Sequence, residues 1–359
     1  MPRWLGGNLG QAAVALADEA LEATVVASWS RLGYQLRERA WSSQPAPAGC
    51  MCARNVLVTG GTSGIGRATA LALCHAGASV GIVGRDRLRA QRAASEIAAR
   101  VACAGGPALA CGHPRRPPEV WAEPADMASP SQVAELARRV GERLGRPARL
   151  DVLVHAAGLI YHRYEASPEG TERTAAVHVA GTHLLTKRLL PLLKAAAPSA
   201  VIWVSSGGMY AQRLDLALLD PEPATYNGLR AYALAKRAQS VLAQLWSEHH
   251  GADGVLFRVM HPGWVETRAI EAGLPGFARL ARPLLRTPEQ GADTIVWLAT
   301  GAACHNPQVG LWFDRRPRGE HRLPGTKTPP GEAAKLWDWC EERANASGPG
   351  PLPLSGRPL

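Results

Sequence analysis

Thr59-Gly60-Gly61-Thr62-Ser63-Gly64-Ile65-Gly66 (residues 59–66) ends a short apolar run, Asn55–Thr59, and opens directly into a helical one, Ile65–Ala76. Glycines at 60, 64 and 66 let a backbone turn sharply, approach a pyrophosphate and bring a helix close to a strand, while the helix start offers free N–H groups to phosphate. A P-loop would need Lys followed by Ser or Thr after the last glycine, and Arg67-Ala68 stand there instead. Strand, glycine turn and helix in that order predict a dinucleotide site at the start of an alternating β/α fold.

The rest of the chain continues the alternation. Strand-length runs rich in β-branched residues fall at Ser79–Gly84, Asp151–His155, Ala200–Ser205, Gly254–Met260 and Val309–Phe313. Helical stretches lie between them at Arg87–Val101, Ser131–Leu144, Glu169–Ala196, Leu229–His250 and Pro288–Thr300. The pattern predicts an α/β fold, a doubly wound parallel sheet with helices on both faces. A domain at 50–316 is expected, preceded by a helical extension and linker at 1–49 and followed by a Pro/Gly-rich extension at 317–359. That last segment reads as partly disordered around one short helix, Glu332–Ala344. Residues 103–121, rich in Gly, Pro and Arg, read as a surface insertion.

Composition narrows the partners. The 359 residues carry a formal charge of +10, with only five lysines, yet the arginines are scattered and no nucleic-acid-binding pattern accompanies them. An anionic cofactor or a membrane surface accounts for the excess, and no nucleic-acid partner is expected. Cysteines at 50, 52, 74, 103, 111, 304 and 340 are odd in number, without metal-ligand spacing, and read as reduced thiols of an intracellular protein that holds no metal. The segment Trp4–Trp41 is helix-compatible but interrupted by Asp18, Glu19 and Glu22, which fits neither a secretory signal nor a spanning helix. It reads as an amphipathic helix packed on the body, or as one lying on a membrane surface, so a cytoplasmic or membrane-peripheral protein is expected.

Three further signals carry chemistry. The strand Ser79–Gly84 ends Gly84-Arg85-Asp86, offering a guanidinium where an NAD site places a carboxylate, so NADP(H) is favoured over NAD(H) despite Asp86 next door. Tyr232 and Lys236 stand one helical turn apart, on one face, where an ammonium favours phenolate and so lowers the phenol's pKa. Ser206, just past a strand's carboxyl end, is placed to hold a substrate oxygen against that tyrosine. The turn His261-Pro262-Gly263-Trp264-Val265-Glu266-Thr267 sets Thr267 where it can bond a carboxamide.

In this order, T-G-x-x-x-G-x-G at 59–66, Ser206, Y-x-x-x-K at 232–236 and P-G-x-x-x-T at 262–267 resemble the short-chain dehydrogenase/reductase family over about residues 53–315. Stretches at 204–209 (VSSGGM), 260–264 (MHPGW), 290–294 (QGADT) and 312–317 (WFDRRP) narrow the resemblance within it. It implies a Rossmann-type sheet of about seven strands and hydride transfer between nicotinamide and a carbonyl or secondary alcohol. Tyr232 would be the acid/base, Lys236 would bind the nicotinamide ribose and tune it, and Ser206 would position the substrate. Thr59, Gly60, Gly64, Ile65, Gly66, Arg85, Asp126, Ala157, Gly158, Pro262, Gly263 and Thr267 would line the cofactor, with Asp126 near the adenine. A homodimer or a membrane-associated monomer is implied.

Two positions depart from the family pattern. His155-Ala156-Ala157-Gly158 replaces Asn-Asn-Ala-Gly, and His178 replaces an asparagine that holds a water linking the lysine to solvent. His178 either takes over that relay or is a neutral ring bonded to backbone. The rival to an active reductase is a cofactor-binding regulatory or scaffold protein with little turnover. Leu214, Leu216, Leu218, Trp264, Ile270, Leu274 and Phe277 suggest an apolar pocket and a lipophilic substrate.

Overall fold

The structure, a computed structural model, describes residues 18–41, 49–103, 118–301 and 309–346. Its centre is one sheet in the order β3-β2-β1-β4-β5-β6-β7-β8. The strands are β1 Asn55–Thr59, β2 Ser79–Gly84, β3 Val120–Pro124, β4 Val152–His155, β5 Ser199–Val204, β6 Val255–Met260, β7 Leu311–Phe313 and β8 Arg316–Arg318. All neighbours pair in parallel except β7 and β8, which form an antiparallel edge hairpin. The sheet therefore has seven parallel strands, as expected, plus one short antiparallel strand.

Buried parallel strands need apolar side chains on both faces, and β1 supplies them by alternation. Val56 and Val58 join Ile82, Val154 and Ile202 in one apolar cluster, and Leu57 joins Leu153, Val201 and Phe257 in the other. Helices α3 Gly64–His75, α4 Arg87–Cys103 and α10 Pro288–Ala299 cover the first cluster; α5 Pro130–Leu144, α6 Gly181–Ala195 and α7 Gly228–His250 cover the second. α10 starts with a capping box between Thr287 and Gln290. The C-terminal helix, α11 Glu332–Asn345, packs across α6 and α7.

Several expectations need correction. Residues 103–121 are not wholly an insertion: α4 runs to Cys103 and β3 begins at Val120, while 104–117 lie outside the described residues. The helix expected over Glu169–Ala196 is broken. Arg173–Ala175 makes one α turn, Ala176–Ala180 a wide π turn, and α6 follows. A side chain at Gly181 would lie 2.1 Å from the Met127 carbonyl, so only glycine allows this approach to the body. At the other end, α1 Val25–Trp29 and α2 Arg31–Ala40 replace one continuous helix, with Ser30 extended between them. Trp29, Tyr34 and Arg37 point inward, whereas Val26, Leu32 and Leu36 are exposed and are where contact with a membrane surface would fall. The short helices α8 Arg268–Gly273 and α9 Pro275–Ala281 follow the loop after β6.

The thiols are not all reduced: Cys52 is disulfide-bonded, while Cys50, Cys74, Cys103 and Cys340 are free. Spacing along the chain carries no signal for a bond between residues that only folding brings together. Residues 1–17, 42–48, 302–308 and 347–359, with Cys304 and the terminal Gly/Pro run among them, lie outside the described residues, as does Cys111. Among the described residues no helix is long and apolar enough to cross a membrane, and no cluster of metal-ligating side chains occurs.

Leu153 has no exposed surface at the centre of β4. Leu153→Ala should lower unfolding free energy by about 2–5 kcal/mol, measured as a fall in the denaturant midpoint at unchanged slope.

Candidate active site

β1 has β2 on one side and β4 on the other, so the chain's winding reverses between β1 and β4, and there the strand ends diverge. Thr59 ties the two ends together: its hydroxyl donates to the Val154 carbonyl (3.3 Å) and accepts from the Ala157 N–H (3.2 Å). Gly60 adopts φ +69°, and a Cβ on it would sit 2.7 Å from the Ala157 Cα. A Cβ on Gly66 would be 2.4 Å from the Gly60 carbonyl oxygen. Both positions therefore demand glycine. Ser63 precedes α3 without a side-chain cap, which leaves the first N–H groups of this helix free for an anion.

A cleft of about 640 Å³ opens over these strand ends. Gly60, Gly64, Ile65, Gly66, Arg85, Asp126, Ala157, Gly158, Ser206, Tyr232, Lys236, Pro262 and Thr267 all line it. Three of the expected residues do not. Thr59 is buried beneath the floor, Gly263 packs under Arg286 and the Trp29 carbonyl, and His178 stands behind Gly158. Within the cleft, Asp126 accepts from the Ala128 N–H (3.0 Å) and from Arg173 (3.3 Å), and Thr267 caps α8 by accepting from the Ile270 N–H (3.3 Å). Arg89, Ser63, Tyr161 and Arg268 also line it and were missed. Arg89 had a signal, since it lies in the first turn of α4, four residues beyond Arg85; Tyr161 sits in a loop whose path no local pattern specifies.

The chemistry-bearing groups converge at the far end. Ser206 and Tyr232 line the cleft together, and the Ser206 hydroxyl opposes the rise that burial imposes on the phenol's pKa. Lys236 is buried; its ammonium lies 5.5 Å from the Tyr232 ring centre and donates to the Val204 carbonyl (2.8 Å) and to Gln239 Oε1 (3.1 Å). Gln239, which the sequence reading missed, in turn donates from Nε2 to the His178 carbonyl (2.8 Å). His178 stands edge-on to Tyr232 with ring centres 5.5 Å apart. Its Nδ1 faces the Thr174 carbonyl at 2.9 Å and so carries the proton, leaving Nε2 a buried acceptor without a partner. A Cβ on Gly158 would meet that Nε2 at 2.6 Å and the Lys236 ammonium at 3.6 Å, so the two nitrogens flank one point.

Burial sets the protonation of this group. It pushes the Tyr232 phenol up to about 12 against the opposing influence of Ser206, and Lys236 down to about 7. The expected lowering of the tyrosine by the lysine is therefore not found here. An ammonium held by a carbonyl and an amide, and itself disfavoured by desolvation, exerts little field on the phenol. His178 is held well below its usual range by burial and by Lys236, which makes it a neutral imidazole. His155 is likewise neutral, pushed down to about 3 by burial and then Lys236, and it bonds Thr186 (2.9 Å) beneath the sheet ends and not in the cleft.

The short chain dehydrogenase family model matches residues 54–272. Human dehydrogenase/reductase SDR family member 12 is 34% identical over 293 residues, covering 81% of this chain and 86% of that one. Mouse retinol dehydrogenase 14 is 32% identical over 304 residues, covering 82% and 86%. Among solved structures, the Pseudomonas aeruginosa RhlG/NADP active-site complex is similar at a TM-score of 0.56 and 25% identity, over 75% of this chain and 96% of that one. A Mycobacterium paratuberculosis protein has the same fold at a TM-score of 0.62 and 22% identity, over 87% and 99%.

The depressed lysine has a consequence for stability. Below about pH 7 Lys236 is charged in both the folded and unfolded chain and its burial penalty is fully felt; above its ordinary value of 10.5 it is neutral in both. Native stability should therefore gain from this group as pH rises from 7 to 10.5. In denaturant titrations at pH 6, 8 and 10, Lys236→Met should show its largest advantage over the native chain at pH 6 and progressively less above it.

Proposed function

The chain belongs to the short-chain dehydrogenases, oxidoreductases that act on alcohol and carbonyl groups with NAD(P), and from that premise we propose that it is an NADPH-dependent reductase of a lipophilic carbonyl. One observation carries this reading: Ser206, Tyr232 and Lys236 line the same cleft as the glycine turn.

The residues present fit the cofactor. Gly60 and Gly66 leave the backbone bare where any Cβ would collide, and the uncapped start of α3 faces a pyrophosphate. Arg85 and Arg89 line the adenosine end, and Asp86, the carboxylate that would disfavour a 2′-phosphate, accepts the Arg89 N–H (2.8 Å) as the cap of α4. This arrangement supports NADPH over NADH. Pro262 and Thr267 stand at the nicotinamide end. When bound, the nicotinamide supplies the hydride.

The protein's own part is positioning and proton transfer. Ser206 Oγ and Tyr232 Oη both donate to the substrate carbonyl oxygen, stabilising the negative charge that develops there. The Tyr232 proton passes to that oxygen as it becomes the alcohol. The phenol is protonated at neutral pH, the form that donates. Lys236, held by the Val204 carbonyl and Gln239, stands behind the tyrosine as the next group able to shift a proton, and His178 Nε2 is the acceptor beside it. His178 in this role replaces a relay through water with a buried imidazole.

The wall beyond Tyr232 is apolar. Leu159, Ile160 and Ile270 line it, whereas Leu274 and the edge-on pair Trp264 and Phe277 (5.0 Å), expected in the pocket, do not line the cleft. Leu214, expected in the pocket, is fully buried in the core, while Leu216 and Leu218 lie against that core. The 32% identity to a protein named retinol dehydrogenase supports a lipophilic substrate.

Fluorescence titration with NADPH and NADH, followed by turnover on a panel of aldehydes, ketones and retinoids, tests the reading. Tyr232→Phe should lower kcat by about 10²–10⁴-fold with NADPH affinity kept. Arg85→Ala should weaken NADPH by roughly tenfold or more through loss of a charge-assisted bond and leave NADH nearly unchanged. Turnover equal in the native and Tyr232→Phe proteins would overturn the catalytic assignment, and equal losses for both nucleotides would overturn the NADP assignment.

A further inference from the structure

Trp29 comes from the N-terminal segment, outside the matched family region, yet it lies between the two loops that complete the cleft. Its side chain is 8% exposed. On one side is the loop after β5: a Cβ on Gly207, the residue next to Ser206, would lie 2.2 Å from the indole ring, and Tyr210 stacks on it at 5.8 Å. On the other side is the loop after β6. The Trp29 carbonyl accepts the Trp264 N–H (2.9 Å), and its ring meets His261 and Trp264 edge-on at 5.0 and 6.4 Å.

The segment carrying Trp29 is anchored from within. Arg286, 1% exposed, donates to the Ser28, Trp29 and Ser30 carbonyls (2.9, 3.0 and 3.2 Å), to the Pro262 carbonyl (3.3 Å) and to both oxygens of Asp314 (2.6 and 2.9 Å). Arg37 from α2 reaches the same Asp314 (2.8 Å) and the Ser28 carbonyl (3.1 Å). One guanidinium thus holds the N-terminal backbone and the nicotinamide-side loop together, and the indole meets the Ser206 loop. Buried charges in this number fix a geometry because each loses heavily if its partner moves.

We propose that Trp29 is a positioning residue of the active site, setting the Ser206–Tyr210 loop against the Pro262–Thr267 loop and so holding Ser206 in the cleft beside Tyr232. The N-terminal segment is then a working part of the active site. This rests on the assignment of Ser206 and Tyr232 above.

A double-mutant cycle on the full chain tests it. Gly207→Ala drives a methyl group into the indole, and Trp29→Leu makes room for it. Gly207→Ala should lower kcat by tenfold or more with the NADPH Kd within twofold of native, and adding Trp29→Leu should restore at least fivefold of that loss. Trp29→Leu alone should speed amide hydrogen exchange in 206–211 and 262–267 by about tenfold while exchange in β1 and β4 stays native. Folded variants with kcat within twofold of native, or losses that simply add in the double variant, would overturn the proposal, whereas a purely packing role would lower the melting temperature and leave kcat alone. The exchange arm does not depend on turnover. A native chain that reduces no carbonyl would sink the reductase reading, and unchanged exchange in the two loops would separately sink this one.

Discussion

Backbone lies on backbone where β1 ends, with Gly60 against Ala157 and Gly66 against the Gly60 carbonyl, and no side chain fits in either place. That contact brings the start of α3 over the diverging ends of β1 and β4. It fixes where a phosphate can sit, and with it the distance to whatever the β5 and β6 ends carry. Ser206 and Pro262 leave the sheet at those ends, and Tyr232 and Lys236 arrive from α7, which packs beside them. The cleft is thus a consequence of strand order and of two missing Cβ atoms.

The polar groups in and behind that cleft carry little net charge near neutral pH. Lys236 is depressed, His178 and His155 are neutral, and Tyr232 is protonated, in each case first because of burial. Each group instead meets a carbonyl, a hydroxyl or an amide. His155 Nδ1 and His178 Nε2 are exceptions among the described residues, buried ring nitrogens with no hydrogen-bond partner. A buried unmatched acceptor beside a lysine is unfavourable unless something uses it.

What was legible in the sequence follows its periodicity. β1, β2 and β6 read directly because β-branched runs bounded by glycine or proline have few other uses. β3 was obscured because Val120–Pro124 follows a Gly/Pro-rich stretch and ends in proline. β8 is three residues long and holds two arginines, so no apolar run marks it. The π turn at His178 is followed directly by the close approach of Gly181 to the Met127 carbonyl, a tertiary contact without a local signature. In the site, motif residues landed in the cleft with the exception of Thr59, Gly263 and His178, which support it from behind. Gln239 and Trp29 were invisible for one reason: each matters through a neighbour distant in sequence, the His178 carbonyl for one and Gly207 for the other.

The turn between β7 and β8 holds Asp314 and Arg315 in the left-handed region, at φ +49° and +59°, where glycine would be more at ease. Burial pushes the Asp314 carboxyl up, but Arg286 and Arg37 outweigh it and keep it below the usual carboxylate range. A glycine at 314 would relax the backbone but take from the buried Arg286 the carboxylate it holds with both oxygens, whereas Arg37 keeps Asp18 and Glu22 at 2.6 and 2.7 Å. Drift at positions 286 and 314 is therefore correlated: either single step leads through a poorly folded intermediate, and lineages should keep the pair whole or lose it together, with Arg37 held in place by its other carboxylates.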